Sequence, residues 1–193
     1  KIRITMKKLI LLAVALVATF TANAQVTIND VKVEKSLTVE GQELMLNGAG
    51  LREKLWFDLY VGALYTTVKS GDGSTLVDAD LAMAITLDIT DSKVTQDKMK
   101  SAVEDGFEDS CTDAERAAIK GDITRFIGFF KDAIVEGDEF QIAYVPGKGT
   151  MVSKNGKALG TIAGIEFKRA LFGIWLGDDP ADEDLKEGML GKS

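Results

Sequence analysis

The chain has 193 residues, with 23 basic against 30 acidic side chains, a formal charge of −7 and a pI near 4.8. Such a surface repels phosphate backbones and anionic headgroups, so nucleic acid is excluded as a partner class. There is no histidine and one cysteine, Cys111, which excludes histidine-based triads, thiolate zinc sites and any intramolecular disulfide.

From Met6 the chain reads MKKLILLAVALVATFTANAQ. Lys7 and Lys8 form a basic start, Leu9 to Phe20 an apolar run, and Ala22-Asn23-Ala24 a small-x-small site. That pattern predicts a secretory leader over residues 1–24, with cleavage before Gln25 and a periplasmic or secreted product. Losing Lys1, Arg3, Lys7 and Lys8 makes residues 25–193 still more acidic. Those residues are expected to form a single domain, and no second apolar run in them reaches membrane-spanning length.

Strand signals dominate from Val26 to Ile89. Leu37 to Val39 and Glu43 to Asn47, around Gly41, read as a short hairpin. Leu81, Met83, Ile85, Leu87 and Ile89 alternate with Ala82, Ala84, Thr86 and Asp88, a period of two that predicts a half-buried strand. Thr95 is positioned as an N-cap for a helix with Met99, Val103 and Phe107 on one face. Ile119, Ile123, Phe126, Ile127, Phe130 and Ile134 then recur at steps of three and four, predicting one amphipathic helix from about Asp113 to Val135. Strands return at Glu139 to Val145 and on either side of Asn155-Gly156, a two-residue hairpin signal. The order predicts an α+β fold, an antiparallel sheet with helices on one face, and such a layer pair can enclose an apolar cleft.

Arg52 interrupts the stretch LNGAGLREKLWFDLYVGALY, Leu46 to Tyr65. One reading is a half-exposed strand with Arg52 paired to Asp58 or solvated. The other places Arg52 at the cleft as a fixed cation, since a guanidinium grips a carboxylate with two parallel hydrogen bonds and stays charged when buried. On one straight strand Arg52 and Tyr60 would lie about 27 Å apart at roughly 3.3 Å per residue. A turn near Glu53-Lys54 would bring Tyr60 to about 15 Å along the resulting hairpin. Tyr65 is the more distant second candidate, of opposite parity unless a bulge intervenes. Arg169 to Pro180, RALFGIWLGDDP, reads as a core helix ended by Gly177, with Trp175 as a packing residue. The acidic clusters Asp178-Asp179 and Asp182 to Asp184 lack calcium-loop spacing and read as solvated surface. No metal site and no cofactor are expected.

With Gly48, Gly50, Arg52, YVGALY and LFGIWLGDDP in this order, the chain resembles the chalcone isomerase-like superfamily over about Lys35 to Gly191, and its secreted bacterial branch most closely. The resemblance implies an open-faced β-sandwich, a large antiparallel sheet backed by a helical layer. It also implies that Arg52 matches an arginine that activates substrate in true chalcone isomerases. The tyrosine and asparagine of that active site fall on Val94 and Ser101, and a strand threonine falls on Tyr60, so the resemblance implies that the arginine is kept without its catalytic partners. The family's non-catalytic plant members bind fatty acids, with an arginine and a tyrosine holding the carboxylate. The implied function is therefore binding of a fatty acid or other apolar carboxylate through Arg52, Tyr60 and Tyr65. The alternative is a chalcone isomerase-like reaction on a phenolic or enone.

Overall fold

The computed structural model describes residues 26–192; the predicted leader lies outside them. Nine strands and six helices form within this range. The hairpin β1 (Val26–Ile28) and β2 (Val31–Val33) stands apart from a seven-stranded antiparallel sheet. That sheet is a meander in the order β3 (Ser36–Val39), β4 (Gln42–Lys54), β5 (Phe57–Thr66), β6 (Met83–Ile89), β7 (Glu139–Val145), β8 (Gly149–Lys154) and β9 (Lys157–Ile162). Helix α1 (Gly73–Asp78) joins β5 to β6. The β6–β7 connection carries α2 (Gln96–Ser110), α3 (Asp113–Ala118) and α4 (Lys120–Ile127). After β9 come α5 (Ile165–Leu176) and α6 (Glu183–Met189). This is the expected helix-backed sheet. None of the described helices is long and apolar enough to cross a membrane.

Both faces of the sheet are packed. Met83, Ile85, Leu87 and Ile89 point into the helix-side core with Phe107, Phe126, Phe167, Phe172 and Trp175. Ala82 and Ala84 point into a second, smaller core with Val33, Val61, Ala63 and Tyr65 on the opposite face. β6 is consequently buried on both sides, with Thr86 only 7 % exposed, rather than half-buried as its alternation predicts. A central strand between β5 and β7 has small residues on its second face because another apolar layer covers it.

The long helix predicted over Asp113 to Val135 is instead broken. A capping box on Thr112, closed by Glu115, starts α3, and the chain leaves helical geometry at Ile119 (φ −108°, ψ 16°) before α4 begins. Past α4, Phe129 and Phe130 form tight i→i−3 turns. The three-and-four spacing is satisfied by a curl rather than a rod. Phe126 sits at its centre, its ring meeting Phe107, Phe129, Phe130 and Phe167 at centroid distances of 5.4–6.2 Å. Phe126, Phe129 and Phe130, at i, i+3 and i+4, would also share a face on a straight helix, so their spacing does not reveal the break.

The hairpin between β4 and β5 also differs from expectation. Lys54 pairs with Phe57, so the turn residues are Leu55 and Trp56, two positions beyond the predicted turn. Both adopt left-handed backbone, with φ of 51° and 69°, the geometry of a type I′ turn that favours Asn-Gly. Each such non-glycine residue costs roughly 1 kcal/mol or more.

Candidate functional site at the junction of β4, β5, α5 and α6

The later turn changes the site. Arg52 is paired directly opposite Tyr60 across β4 and β5, with a register shift between Arg52 and Glu53. The two side chains therefore start from neighbouring backbone positions, about 5 Å apart at Cβ, instead of the expected 15 Å. Tyr60 is buried in the helix-side core at 9 % exposure. Its hydroxyl accepts a hydrogen bond from Trp175 Nε1 at 3.1 Å. Burial pushes the Tyr60 hydroxyl pKa up; the Trp175 hydrogen bond and the Arg52 charge oppose that shift. Trp175 thus does more than pack: it holds the phenol of Tyr60.

Arg52 does not pair with Asp58. Its Nη1 donates to Asp182 Oδ2 at 2.7 Å, and both side chains are mostly buried, at 17 % and 15 % exposure. Asp182, expected as solvated surface, is the N-cap of α6, with Oδ1 accepting from the backbone N–H of Leu185 at 2.8 Å. One carboxylate thereby serves both the helix terminus and the guanidinium. The sequence does carry a signal for the cap: an aspartate immediately before Glu183 and Asp184 in a first helical turn. Nothing local links it to an arginine 130 positions earlier.

Helix α6 lies flat on β4, and small residues permit it. A Cβ on Gly48 would fall 2.2 Å from the Gly188 carbonyl oxygen, and one on Gly50 would fall 3.1 Å from that of Leu185. The G-x-G element therefore positions the helix that covers Arg52. Asn47 pins the other end of α6, donating to the Met189 carbonyl at 2.8 Å and to that of Ser70 at 2.9 Å. Gly177 closes α5 at φ −72°, so it needs no left-handed freedom. It is required because a Cβ would meet the Gly173 carbonyl oxygen at 2.6 Å.

Tyr65 is not brought to this group. Five residues from Tyr60, it falls on the other face of β5, in the second core, where its hydroxyl donates to the Glu34 carbonyl at 3.1 Å. Val94 is buried in the helix-side core and offers no polar atom, while Ser101 is exposed on α2. Cys111 is partly buried, and burial pushes its thiol pKa up. Two surface cavities, of about 360 and 460 Å³, lie elsewhere on the helical layer: one beside Ser110, Cys111 and Arg169, the other beside Arg116 and Ile123.

The sequence profile of the chalcone isomerase-like family matches residues 25–191. The chain belongs to this family. Among solved structures, the crystal structure of the Arabidopsis thaliana fatty-acid binding protein AtFAP1 superposes with a TM-score of 0.66 at 18 % identity, covering 86 % of this chain and 95 % of that one. At that identity the likeness concerns the chalcone isomerase-like fold. No curated protein sequence matches this chain.

Proposed function

We propose that this chalcone isomerase-like protein is a non-catalytic binder of a fatty acid or another apolar carboxylate, with Arg52 and Tyr60 holding the headgroup. The observation that carries this reading is that Arg52 already grips a carboxylate, that of Asp182, directly across the hairpin from a phenol buried at the edge of the helix-side core. A ligand carboxylate would take the place of Asp182, and its methylenes would enter between sheet and helices at about 0.8 kcal/mol each. Entry requires the N-terminal end of α6 to lift while Asn47 retains its C-terminal end. The fold shared with a fatty-acid binding protein is consistent with this role.

Catalysis is disfavoured by the residues themselves. Val94, where the family's catalytic tyrosine is expected, has no polar atom, and Ser101 is exposed on α2, while the Tyr60 hydroxyl accepts from Trp175 and keeps its own proton to donate to a ligand carboxylate. Mass spectrometry of protein purified without detergent should reveal a co-purifying apolar acid that Arg52→Ala fails to retain. Equal retention by the variant would remove Arg52 from the headgroup site. Chalcone turnover above the uncatalysed rate, lost in Arg52→Ala, would replace the binding reading with the isomerase one.

A further inference from the structure

The tip of the β4–β5 hairpin is the most apolar exposed feature among the described residues. Trp56 is 96 % exposed, Leu55 74 % and Phe57 38 %, three successive large side chains on one projecting turn. Elsewhere among these residues, exposed large hydrophobics are single valines, leucines or methionines separated along the chain. The backbone makes the choice of residues unusual as well. Leu55 and Trp56 both occupy left-handed conformations that Asn and Gly adopt with little strain, so local turn chemistry selects against them. Strain kept at an exposed turn, with a bulky apolar side chain facing water, points to a use outside the fold.

The chemistry around the tip identifies its partner. Lys54 borders the turn, and Lys93 reaches in from the β6–α2 loop to lie 3.8 Å above the Phe57 ring. Glu53, Asp58 and Asp91 lie close in sequence to these cations, so the finger is locally near neutral although the whole chain carries −7. A near-neutral, tryptophan-tipped finger on an acidic protein suits a zwitterionic phospholipid surface and is repelled from an anionic one. A protein partner fits less well. One tryptophan and its neighbour cover a few hundred Å², far below the roughly 1,600 Å² of a standard protein interface. The same β4 strand carries Arg52 three residues before Leu55, so a docked tip would hold the carboxylate site next to the lipid surface.

We propose that Leu55 and Trp56 form a docking finger that inserts into the interfacial region of zwitterionic phospholipid membranes. The proposal rests on the carboxylate-binding reading only for its purpose; docking itself is tested separately. Residues 25–193, which include every described element and both cores, would be floated with phosphatidylcholine vesicles. The wild-type chain should float with the vesicles. Brominated phosphatidylcholine should quench its exposed tryptophan, and Trp56→Phe should still float but lose most of that quenching, because Trp175 is buried. The double variant Leu55→Asn with Trp56→Gly should stay in the soluble fraction, melt at a higher temperature, and still bind dodecanoate added from solution. Arg52→Ala should float normally while failing to bind dodecanoate.

A wild-type chain that remains soluble with vesicles would overturn the docking finger, as would a double variant that floats equally well. If sedimentation velocity found a dimer that the double variant abolished, the tip would belong to an interface between copies instead. Loss of dodecanoate binding by every protein, with flotation intact, would refute the carboxylate reading and leave the finger standing.

Discussion

Replacing Asp182 by Asn separates the two tasks that this side chain performs. Asparagine is as good an N-cap as aspartate, so the hydrogen bond from Leu185 N–H, 2.8 Å long in the wild type, is retained. What disappears is the negative charge 2.7 Å from Arg52 Nη1, in a pair with 17 % and 15 % of its side-chain surface exposed. Arg52 stays charged, so its bond to the amide oxygen remains charge-assisted, and removing the opposing charge alone forfeits roughly 1–2 kcal/mol at this contact. The unliganded protein should lose about that much stability in urea unfolding. A carboxylate ligand, which must displace residue 182 before it reaches the guanidinium, should gain the same amount, or about 5–30-fold in affinity. Isothermal titration with dodecanoate measures this directly. If Asp182→Asn loses stability and binds dodecanoate no more tightly than the wild type, Asp182 is not occupying the ligand's position. Asp182→Ala would be less informative, because it removes the cap and the charge together.

Three further outcomes follow from other contacts. Asp88 lies on the second face of β6, and burial, with Glu139 nearby, pushes its pKa up to about 6. A raised carboxyl pKa means that ionisation opposes folding, so this group's contribution falls as pH rises from about 4 to 6. Asp88→Asn should flatten that slope and stabilise the protein at pH 7 by roughly 1 kcal/mol, allowing for the screening of a half-exposed group; an unchanged slope would refute the assignment. Gly48→Ala places a methyl 2.2 Å from the Gly188 carbonyl oxygen and should cost about 2–4 kcal/mol in urea unfolding, whereas Gly121→Ala, with open space around it in α4, should be neutral or stabilising by up to about 1 kcal/mol. Lys168 is fully buried, its Nζ donating to the carbonyls of Leu76, Val77 and Ala79 at 2.6–2.8 Å. Lys168→Met should therefore cost about 3–5 kcal/mol by stranding those carbonyls, and a variant as stable as wild type would refute that role.

Much of the fold was legible because its signals are local. The Gly41 and Asn155-Gly156 hairpins and the Thr95 cap each depend on neighbouring residues and formed where expected, and the alternation read from Leu81 to Ile89 marked a strand that starts at Met83, though not its burial on both faces. The curl after Asp113 was hidden, since helical spacing at Ile119, Ile123 and Phe126 does not distinguish a rod from a bend around an aromatic centre. The Leu55-Trp56 turn was hidden for the opposite reason: its residues oppose the geometry they adopt, so the hairpin was predicted two residues early and Tyr60 too far from Arg52. At the site, Arg52 and Tyr60 stood out as a cation and a phenol on a strand of otherwise apolar character. Asp182 and Trp175 did not. Their contacts span 130 and 115 positions, and nothing in either short segment indicates its distant partner. The opposite placement of Tyr65 followed from parity alone: the bulge facing Leu64 and Tyr65 puts its extra residue, Asn47, in β4 and leaves the alternation of β5 intact.

Carbon-13 NMR of dodecanoate labelled at its carboxyl observes the very group that Arg52 is proposed to hold. With the wild-type protein, a bound carboxyl resonance should be resolved from free dodecanoate and should titrate at lower pH than the free acid, since a neighbouring guanidinium favours the ionised form. The bound signal should vanish or become free-like in Arg52→Ala. A bound carboxyl that titrates like the free acid, or whose signal is the same in both proteins, would contradict the account.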